Sequence, residues 1–282
     1  AAARSDVALG RYLRTHTGSH VVRWSGYHLF VRQYFAGGSA EAPAWRHPLA
    51  RALGIFHEYG WAALRATGRQ NPRSIDHAAL YPQWILPQLL VAHGTGLGAA
   101  ARPTRECLAR LAERAARHAA ELDRLPVFLT HADYQGKNIV ALADAHAGRP
   151  RIAIIDTETA QLQSRLFDFY FLLMGDDCGA ALGDFAAFRS LLASYFEHAP
   201  ALNDDEARLL GFALQTKAAT IAAWVAAEYD GAAPERQSVY RTWFAQALRC
   251  IQFIDEHADA IRDMAEAHRA AMVPREKKGL GS

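Results

Sequence analysis

THADYQGKNIV, at residues 130–140, and IAIIDTE, at residues 152–158, are the two segments that decide the fold. Asp133 and Asn138 lie five residues apart across a glycine-containing loop, so the chain can fold back and direct both side chains toward one point. The apolar run before Asp156 is typical of a buried strand that ends at this acid. Oxygen-bearing side chains that converge from a loop and a strand end suit Mg²⁺, which prefers oxygen ligands in octahedral geometry.

These residue types match the needs of phosphoryl transfer. That reaction requires a carboxylate that receives the proton of the attacking hydroxyl and a metal ion that neutralises the phosphates. We expect Asp133 to be the catalytic carboxylate, and Asn138 and Asp156 to hold Mg²⁺. Asp and Asn are also common turn residues, because their side chains bond to nearby backbone. Either segment alone would fit an ordinary surface loop as well as a catalytic site. The two segments together, in this order, favour the catalytic site.

Both segments resemble motifs of a known superfamily. The His-x-Asp-x-x-x-x-Asn spacing at residues 131–138 resembles the catalytic loop of the protein-kinase-like fold. Residues 156–160 and 165–168 resemble the Asp-x-Glu-x-Ala and Arg-x-Phe-Asp signature of choline and ethanolamine kinases, and Gln135 fits the same pattern. The chain therefore resembles the aminoglycoside phosphotransferase and choline/ethanolamine kinase superfamily over residues 130–168.

The resemblance implies an α+β, protein-kinase-like fold with ATP and Mg²⁺ as cofactors. It implies a partial β small lobe and hinge at residues 1–38, and a mostly helical large lobe at residues 39–273. The catalytic loop and metal-binding hairpin occupy residues 127–158, and residues 274–282 form a flexible tail. The expected reaction is direct, in-line transfer to the hydroxyl of a small molecule.

Supporting roles fall to residues near the two motifs. His131 is expected to pack beneath the loop and bond to backbone rather than take part in the chemistry. Asp168 is expected to accept hydrogen bonds from the catalytic loop. Arg165 is expected to pair with a nearby acid, for which Glu158 is the candidate; a surface salt bridge worth about 0–1 kcal/mol is the alternative. Glu158 is otherwise a candidate for contact with a second metal ion or the substrate.

The front of the chain departs from the superfamily pattern. Residues 7–14 predict a short helix, residues 20–24 and 28–34 predict strands, and residues 33–38 would be the hinge under the adenine. Nucleotide-binding candidates are therefore Gln33, Tyr34 and Phe35, together with Lys137, which is either a phosphate contact or a solvated loop lysine.

A glycine-rich loop and a phosphate-binding lysine should precede these strands. No glycine-rich loop precedes Tyr27, and Lys137 is the first lysine of the sequence. Either the front of the small lobe lies outside this chain, which we favour, or the protein is a degraded, non-catalytic relative of the kinases. In the first case we expect exposed strand edges or apolar surface near residues 21–31.

The large lobe shows helical periodicity on both sides of the motifs. We predict helices at residues 48–67, 84–93, 104–122, 184–198, 204–230 and 236–271, with loop at 68–82. Thr104 is a candidate N-cap, and Asn203 with Glu206 is a candidate capping box. A hairpin of residues 139–143 and 151–155 should bring Asn138 and Asp156 together. Four histidines lack the spacing of zinc ligands: His57, His77, His93 and His118.

Residues 171–235 contain ten acidic and three basic residues, and aromatic residues lie in or just after this segment. Acids beside aromatic rings attract cations, and ammonium groups bind over aromatic faces. Substrate-binding candidates are Asp176, Asp177, Trp224 and Tyr229, which favours an amine-bearing acceptor whose affinity falls with added salt. The alternative is a solvated acidic surface above aromatic residues of the core.

The amino-acid composition limits the classes of protein to which the chain can belong. With 282 residues, 51% hydrophobic, and a net charge of +2, the chain is typical of soluble globular proteins and has no basic stripe for nucleic acid. The three cysteines are widely spaced, which favours reduced thiols in a cytoplasmic protein. The sequence shows no long apolar run and no leader, so we expect neither a membrane span nor a signal peptide. A non-catalytic binding module and a kinase for a neutral sugar or homoserine remain as alternatives, and the oligomeric state is open.

Overall fold

Helices make up most of the structure, which is a computed structural model. It describes residues 7–9, 22–24, 27–29, 34–40, 43–66, 75–93, 97, 105–142, 151–174 and 185–279. The described helices are α1 Arg46–Ala66, α2 His77–Leu80, α3 Leu86–His93, α4 Arg105–Leu122, α5 Phe169–Met174, α6 Phe185–Tyr195, α7 Asp204–Tyr229, α8 Pro234–Glu256 and α9 Ala258–Gly279. A π-helical segment, Tyr81–Ile85, joins α2 to α3. The combination of many helices with short strands agrees with the predicted α+β class.

The strands form one four-stranded sheet and two pairs among the described residues. They are β1 Val7–Leu9, β2 Val22–Trp24, β3 Tyr27–Leu29, β4 Gly37–Ser39, β5 Phe128–Thr130, β6 Ile139–Leu142, β7 Ile152–Ile154 and β8 Gln161–Gln163. The larger sheet has the order β1-β7-β6-β4, while β2 pairs with β3 and β5 pairs with β8. The segment predicted to be catalytic therefore runs from β5 through the hairpin β6–β7 to β8.

The hairpin brings the two motifs together as predicted. Ile139 pairs with Ile154 in the antiparallel register, and both side chains are buried. One step beyond this pair, the N–H of Ile155 donates to the carbonyl of Asn138 over 3.0 Å. Asn138 and the residues just before Asp156 therefore meet at the same end of the hairpin.

The helix α7 is the central helix among the described residues. It packs against α3, α8 and α9, and its alanines, which are fully buried, let these neighbours approach closely: Ala218, Ala219, Ala222 and Ala223. The predicted capping box at its start is confirmed, since Asn203 and Glu206 each accept the backbone N–H of the other. Among the described helices, α7 alone is long and apolar enough to cross a membrane; its apolar window is 67% buried within the protein, as in a core helix.

Two glycines permit close approaches that position the site. A Cβ on Gly54 of α1 would lie 2.3 Å from the carbonyl oxygen of Tyr195 in α6, so glycine allows these helices to cross tightly. A Cβ on Gly37 would lie 2.0 Å from the carbonyl oxygen of Ala141. The segment predicted to be the hinge therefore reaches the catalytic hairpin by pairing β4 with β6.

The prediction of a helix from Val7 to Arg14 is wrong for its first residues. Val7, Ala8 and Leu9 form β1, which pairs in parallel with Ile152–Ile154 of β7. The buried β7 offers unpaired backbone groups along its edge, and this tertiary pairing outweighs the local helical tendency. Residues 10–21 lie outside the described residues, as do the side chains near residues 21–31 on which the expected exposed strand edges depend.

Three helix boundaries also differ from the prediction. The predicted loop at 68–82 is helical from His77 onward, because Asp76 accepts the N–H of Ala79 and caps α2. The predicted helix at 236–271 is divided at His257, which is not helical and whose N–H donates to Phe253. The helix α9 continues to residue 279, six residues into the predicted tail, in a segment rich in the helix formers Glu, Lys and Arg. The predicted N-cap Thr104 lies outside the described residues.

Candidate active site

The carboxylate of Asp133 lies in the loop at residues 131–138, which the sequence predicts to be catalytic, and is partly exposed. The Nδ2 atom of Asn138 donates to its Oδ2 over 2.9 Å and to its backbone oxygen over 2.8 Å. The side chain of Gln135 donates to Oδ1. A carboxylate oxygen can accept more than one hydrogen bond, so both oxygens of Asp133 retain capacity for the hydroxyl of a substrate.

Backbone contacts hold the loop in an unusual conformation. Ala132 has φ 67, in the left-handed region that residues with a Cβ rarely adopt. Its N–H donates to Oδ1 of Asp168 over 2.8 Å, and the N–H of His131 donates to Oδ2 over 2.7 Å. On the opposite side, Nζ of Lys217 donates to the carbonyl of Ala132 over 2.8 Å. The peptide groups before Asp133 are thus fixed from both sides.

Further bonds tie the loop to its neighbours. The ring Nε2 of His131 donates to the carbonyl of Ile155 over 2.8 Å, and the hydroxyl of Thr159 donates to the carbonyl of His131 over 2.9 Å. The hydroxyl of Tyr134 donates to the carbonyl of Leu49 in α1 over 2.9 Å. His131 is fully buried, as a packing and backbone-bonding residue requires.

Asp168 belongs to a chain of buried polar residues that leads away from the loop. Its Oδ2 lies 3.0 Å from Nε2 of His57, whose Nδ1 lies 2.8 Å from the hydroxyl of Tyr195. Tyr195 lies close enough to Arg165 to interact with its charge, and Arg165 donates twice, over 2.8 Å each, to Glu206 at the start of α7. We call these five residues the buried chain.

The ionisation of the buried chain follows from its contacts. Burial opposes the charged form of Asp168, but hydrogen bonds from His57 and from the backbone N–H of His131 outweigh it and hold the pKa of this carboxyl below its usual value. Burial also lowers the pKa of His57, despite the adjacent carboxylate. His57 is therefore neutral: its Nε2–H donates to Asp168, and its Nδ1 accepts from Tyr195. Sequence reasoning set His57 aside, although its position on α1 anchors Asp168.

The sequence predicts that Arg165 pairs with a nearby acid, with Glu158 as the candidate, but the side chain of Glu158 lies outside the described residues. The partner is Glu206, and the guanidinium also donates to the carbonyls of Pro200 and Ala201 over 2.7 and 2.8 Å. Arg165 and Glu206 are almost completely buried, at 1% and 2% exposure, so the pair is not a surface salt bridge. The capping box fixes Glu206 at the N-terminus of α7, where this helix packs against the motif.

A cavity of about 400 Å³ opens beside Asp133. Its walls are polar near the loop and aromatic further out; the lining residues are Ala132, Asp133, Gln135, Thr159, Gln161, Tyr170, Phe171, Lys217, Ile221, Trp224, Trp243 and Gln246. This volume lies in the range of small-molecule sites, and such a mixture of apolar walls with a few polar groups is typical of them.

The structure brings Trp224 into this cavity but not Tyr229. Five residues along a helix turn the side chain by about 140°, so the two rings leave α7 on different faces. The ring of Tyr229 instead lies under the guanidinium of Arg241, 5.8 Å from its centre. The proposed role of Tyr229 in substrate binding is therefore corrected.

Several lining residues were missed by sequence reasoning, Lys217 above all. Lys217, Ile221 and Trp224 follow one another at helical spacing on one face of α7, and Trp243 and Gln246 do so on α8. This spacing was visible in the sequence. It does not distinguish a cavity wall from a face packed in the core.

The residues proposed for metal binding have the right chemistry for Mg²⁺. The amide nitrogen of Asn138 is engaged by Asp133, so the amide oxygen is directed elsewhere and is available to a cation. Asp156 follows β7 with φ 59, a left-handed conformation that turns the chain out of the strand. Among the described residues no group of three His, Cys, Asp or Glu forms a metal site. An amide and one carboxylate suffice for Mg²⁺ when phosphates and water supply the other ligands.

The remaining candidates are less defined by the structure. Lys137 is exposed on the loop; Tyr34 is 87% exposed and Phe35 is partly buried before β4. Glu158 lies in a 3₁₀ turn, and its side chain is outside the described residues. Gln33, Asp176 and Asp177 lie outside them entirely. The nucleotide-binding and acidic-surface predictions thus stay predictions.

Comparison with solved structures identifies the fold. A microcompartment-associated aminopropanol kinase aligns with a TM-score of 0.57 and 15% identity, over 92% of this chain and 78% of that chain. The GDP complex of wild-type aminoglycoside 2'-phosphotransferase-IIIa aligns with a TM-score of 0.55 and 14% identity, over 90% and 78%. An ethanolamine kinase from Plasmodium vivax aligns with a TM-score of 0.52 and 12% identity, over 81% and 66%.

The chain therefore has the protein-kinase-like fold of the aminoglycoside phosphotransferases and of the ethanolamine and aminopropanol kinases. The resemblance first seen in residues 130–168 is confirmed at the level of the fold. No family model and no curated protein matches the sequence.

Proposed function

We propose that this protein transfers a phosphoryl group from ATP to a hydroxyl of a small, amine-bearing molecule. The observation that carries the proposal is the carboxylate of Asp133, held by a rigid loop at the wall of a cavity of about 400 Å³. The solved structures of similar fold include kinases of aminopropanol and ethanolamine and an aminoglycoside phosphotransferase bound to GDP. These activities support the class of reaction.

Asp133 orients the acceptor hydroxyl and receives its proton as the oxygen attacks. Asn138 and Gln135 donate to the two carboxylate oxygens and so fix the plane of this base. The binding of acceptor and nucleotide in line, with reacting atoms close together, supplies much of the rate acceleration in such reactions.

Asn138 and Asp156 would hold Mg²⁺ at the end of the hairpin. A bound Mg²⁺ neutralises the charge of the nucleotide phosphates. The bond from the N–H of Ile155, the neighbour of Asp156, to the carbonyl of Asn138 supports this proposal, because it joins the backbone beside the two residues.

The amine of the acceptor would lie against the aromatic walls. Trp224 and Trp243 lie 6.3 Å apart between ring centres, and both line the cavity. An ammonium over such faces gains about 0.5–2 kcal/mol. Because Lys217 adds a positive charge near Asp133, we place the amine toward the tryptophans rather than beside the reacting hydroxyl.

An acceptor screen tests this function. The purified protein is incubated with ATP, Mg²⁺ and single acceptors: ethanolamine, 1-amino-2-propanol, choline, kanamycin, homoserine and ribose. Phosphorylated products are identified by mass spectrometry, with the Asp133→Asn variant as a control. We expect an amine-bearing acceptor to have the highest kcat/KM. Preference for ribose would contradict the acceptor class, and product formation that survives Asp133→Asn would contradict the mechanism.

A further inference from the structure

Lys217 is the one cationic side chain among the described residues that line the cavity. It belongs to the central helix α7, 85 residues after Ala132 in sequence, yet its ammonium donates to the carbonyl of Ala132 over 2.8 Å. Its ammonium also lies 5.1 Å from the centre of the Phe171 ring, another wall of the cavity. The contacts orient Lys217 toward the catalytic loop rather than toward an acid on its own helix.

The bond from Lys217 reaches the peptide that precedes the catalytic base. The carbonyl of Ala132 and the N–H of Asp133 belong to one planar peptide group, so holding the carbonyl fixes the start of the Asp133 backbone. Ala132 is in the left-handed region with φ 67, a conformation that a residue with a Cβ retains only when its surroundings impose it.

The two sides of Ala132 are restrained by different elements. Asp168, at the end of the second motif, accepts the N–H of Ala132 over 2.8 Å, and Lys217 of α7 donates to the carbonyl of Ala132. Asp168 is itself held by His57, so that side is rigid. Without Lys217 the carbonyl side would depend on the loop alone, and the peptide plane before Asp133 could rotate.

We infer that Lys217 is a positioning residue, whose bond to Ala132 fixes the direction in which Asp133 faces the acceptor hydroxyl. This inference rests on the proposed phosphotransferase function. A misplacement of about 1 Å of a reacting group can reduce the rate about 10²-fold, so a bond one residue from the base affects catalysis strongly. Burial lowers the pKa of Lys217, while the carboxylates of Asp168 and Asp133 favour its charged form.

The kinetic test compares three variants. Lys217→Met removes the donor and keeps an unbranched apolar side chain of similar size. Lys217→Arg keeps a donor, and Arg208→Met is the matched control. Arg208 lies on the same helix, pairs with Glu121 and Asp205, and does not line this cavity. With ATP and the best acceptor of the screen, we expect Lys217→Met to lower kcat about 10- to 100-fold with both KM values within threefold of wild type. Lys217→Arg should recover at least part of kcat, and Arg208→Met should leave it unchanged.

A second readout does not depend on the substrate. Hydrogen exchange of a peptide that spans residues 128–142 reports the backbone bonds of the loop, including the N–H groups of His131 and Ala132. We expect faster exchange of this peptide in Lys217→Met and wild-type exchange in Arg208→Met. If Lys217→Met fails to fold, Lys217→Ala, which likewise lacks the donor, replaces it.

The outcomes separate this inference from the proposed function. A rise in acceptor KM with unchanged kcat would show that Lys217 only lines the wall, and would overturn the positioning role. Unchanged hydrogen exchange in Lys217→Met would overturn it as well. If the wild type phosphorylates no acceptor, the proposed function fails, and the exchange measurement alone then decides whether Lys217 holds the loop.

Discussion

The buried chain and the open site beside it use charged residues for different purposes. The buried chain of Glu206, Arg165, Tyr195, His57 and Asp168 is closed to water, and its members bond to one another or to backbone. In the open site, Asp133 and Lys217 line a cavity, and Lys217 makes one hydrogen bond among the described residues.

The two regions differ in whether their side chains keep hydrogen-bonding capacity for a ligand. A buried charge without a partner costs several kcal/mol, so a closed network must be complete and contributes order to the fold. A catalytic group must keep capacity for its substrate, and it depends on other residues for its position. Asp168 connects the two regions, because it ends the buried chain and holds the backbone of the open site.

The largest expected effect is on stability and comes from Arg165→Met. This change leaves Glu206 charged and buried without its partner, so we expect the free energy of unfolding to fall by about 3–5 kcal/mol. Urea unfolding followed by circular dichroism measures it. The control is Arg51→Met, which breaks a largely exposed pair with Glu197 and should cost about 0–1 kcal/mol. Equal costs for the two variants would contradict a structural role of the buried chain.

The next effect is on turnover and comes from Asp156→Ala. Loss of a proposed Mg²⁺ ligand should lower kcat about 10²- to 10³-fold, because the charge on the phosphates is then poorly neutralised. Melting temperature should stay near that of wild type. Asp263→Ala removes an exposed acid of α9 that pairs with Arg262, and it should leave turnover unchanged. Retained turnover in Asp156→Ala would remove this residue from the site.

A smaller effect should follow from removing one aromatic wall. Trp224→Ala should raise the KM of an amine-bearing acceptor by about 2- to 30-fold, equivalent to the loss of about 0.5–2 kcal/mol of cation–π attraction. Tyr229→Ala, five residues further along the same helix, should leave this KM unchanged, since its ring does not line the cavity. Steady-state kinetics with the best acceptor of the screen distinguish the two. The reverse result would restore the original prediction for Tyr229.

The smallest expected effect is a pH dependence that belongs to the buried chain. Burial lowers the pKa of His57 below its ordinary 6.5 and outweighs the adjacent carboxylate of Asp168, which raises it. The other polar groups that face His57 are Tyr195, Arg165 and Glu206. As the pH falls below about 6.5, the unfolded chain takes up a proton that the folded chain does not, so stability declines by up to about 1.4 kcal/mol per pH unit.

This pH dependence is measured by urea unfolding at pH values between 7.5 and 5.5, with His57→Gln for comparison. Glutamine keeps a donor for Asp168 but does not titrate, so the variant should lose less stability over this interval. An identical decline in both proteins would assign the effect to other histidines.

The sequence was informative where function depends on local spacing. Asp133, Asn138 and Asp156 could be proposed together because they lie within a few dozen residues, and the strand pattern at 139–142 and 152–154 indicated the pairing that the structure has. The capping box at Asn203 was likewise visible, since it is a contact between near neighbours.

Contacts distant in sequence were not predictable in the same way. Arg165 binds Glu206, which is 41 residues away in sequence, whereas the candidate chosen from the sequence was Glu158, which is closer along the chain. Lys217 bonds to Ala132, which precedes it by 85 residues. Only the packing of α7 against the motif brings these residues together. The strand at Val7 could not be predicted for the same reason, because it forms by pairing with β7, which is distant in sequence.

The most direct test of the central claim is transfer itself, measured in a single turnover. Excess protein, γ-³²P-labelled ATP, Mg²⁺ and the best acceptor of the screen are mixed, and the labelled acceptor is followed with time for wild type and for Asp133→Asn. We predict that the variant folds normally and forms phosphorylated acceptor about 10²- to 10⁴-fold more slowly, because it lacks the base. Equal rates in the two proteins would contradict the assignment of Asp133 and the proposed function with it.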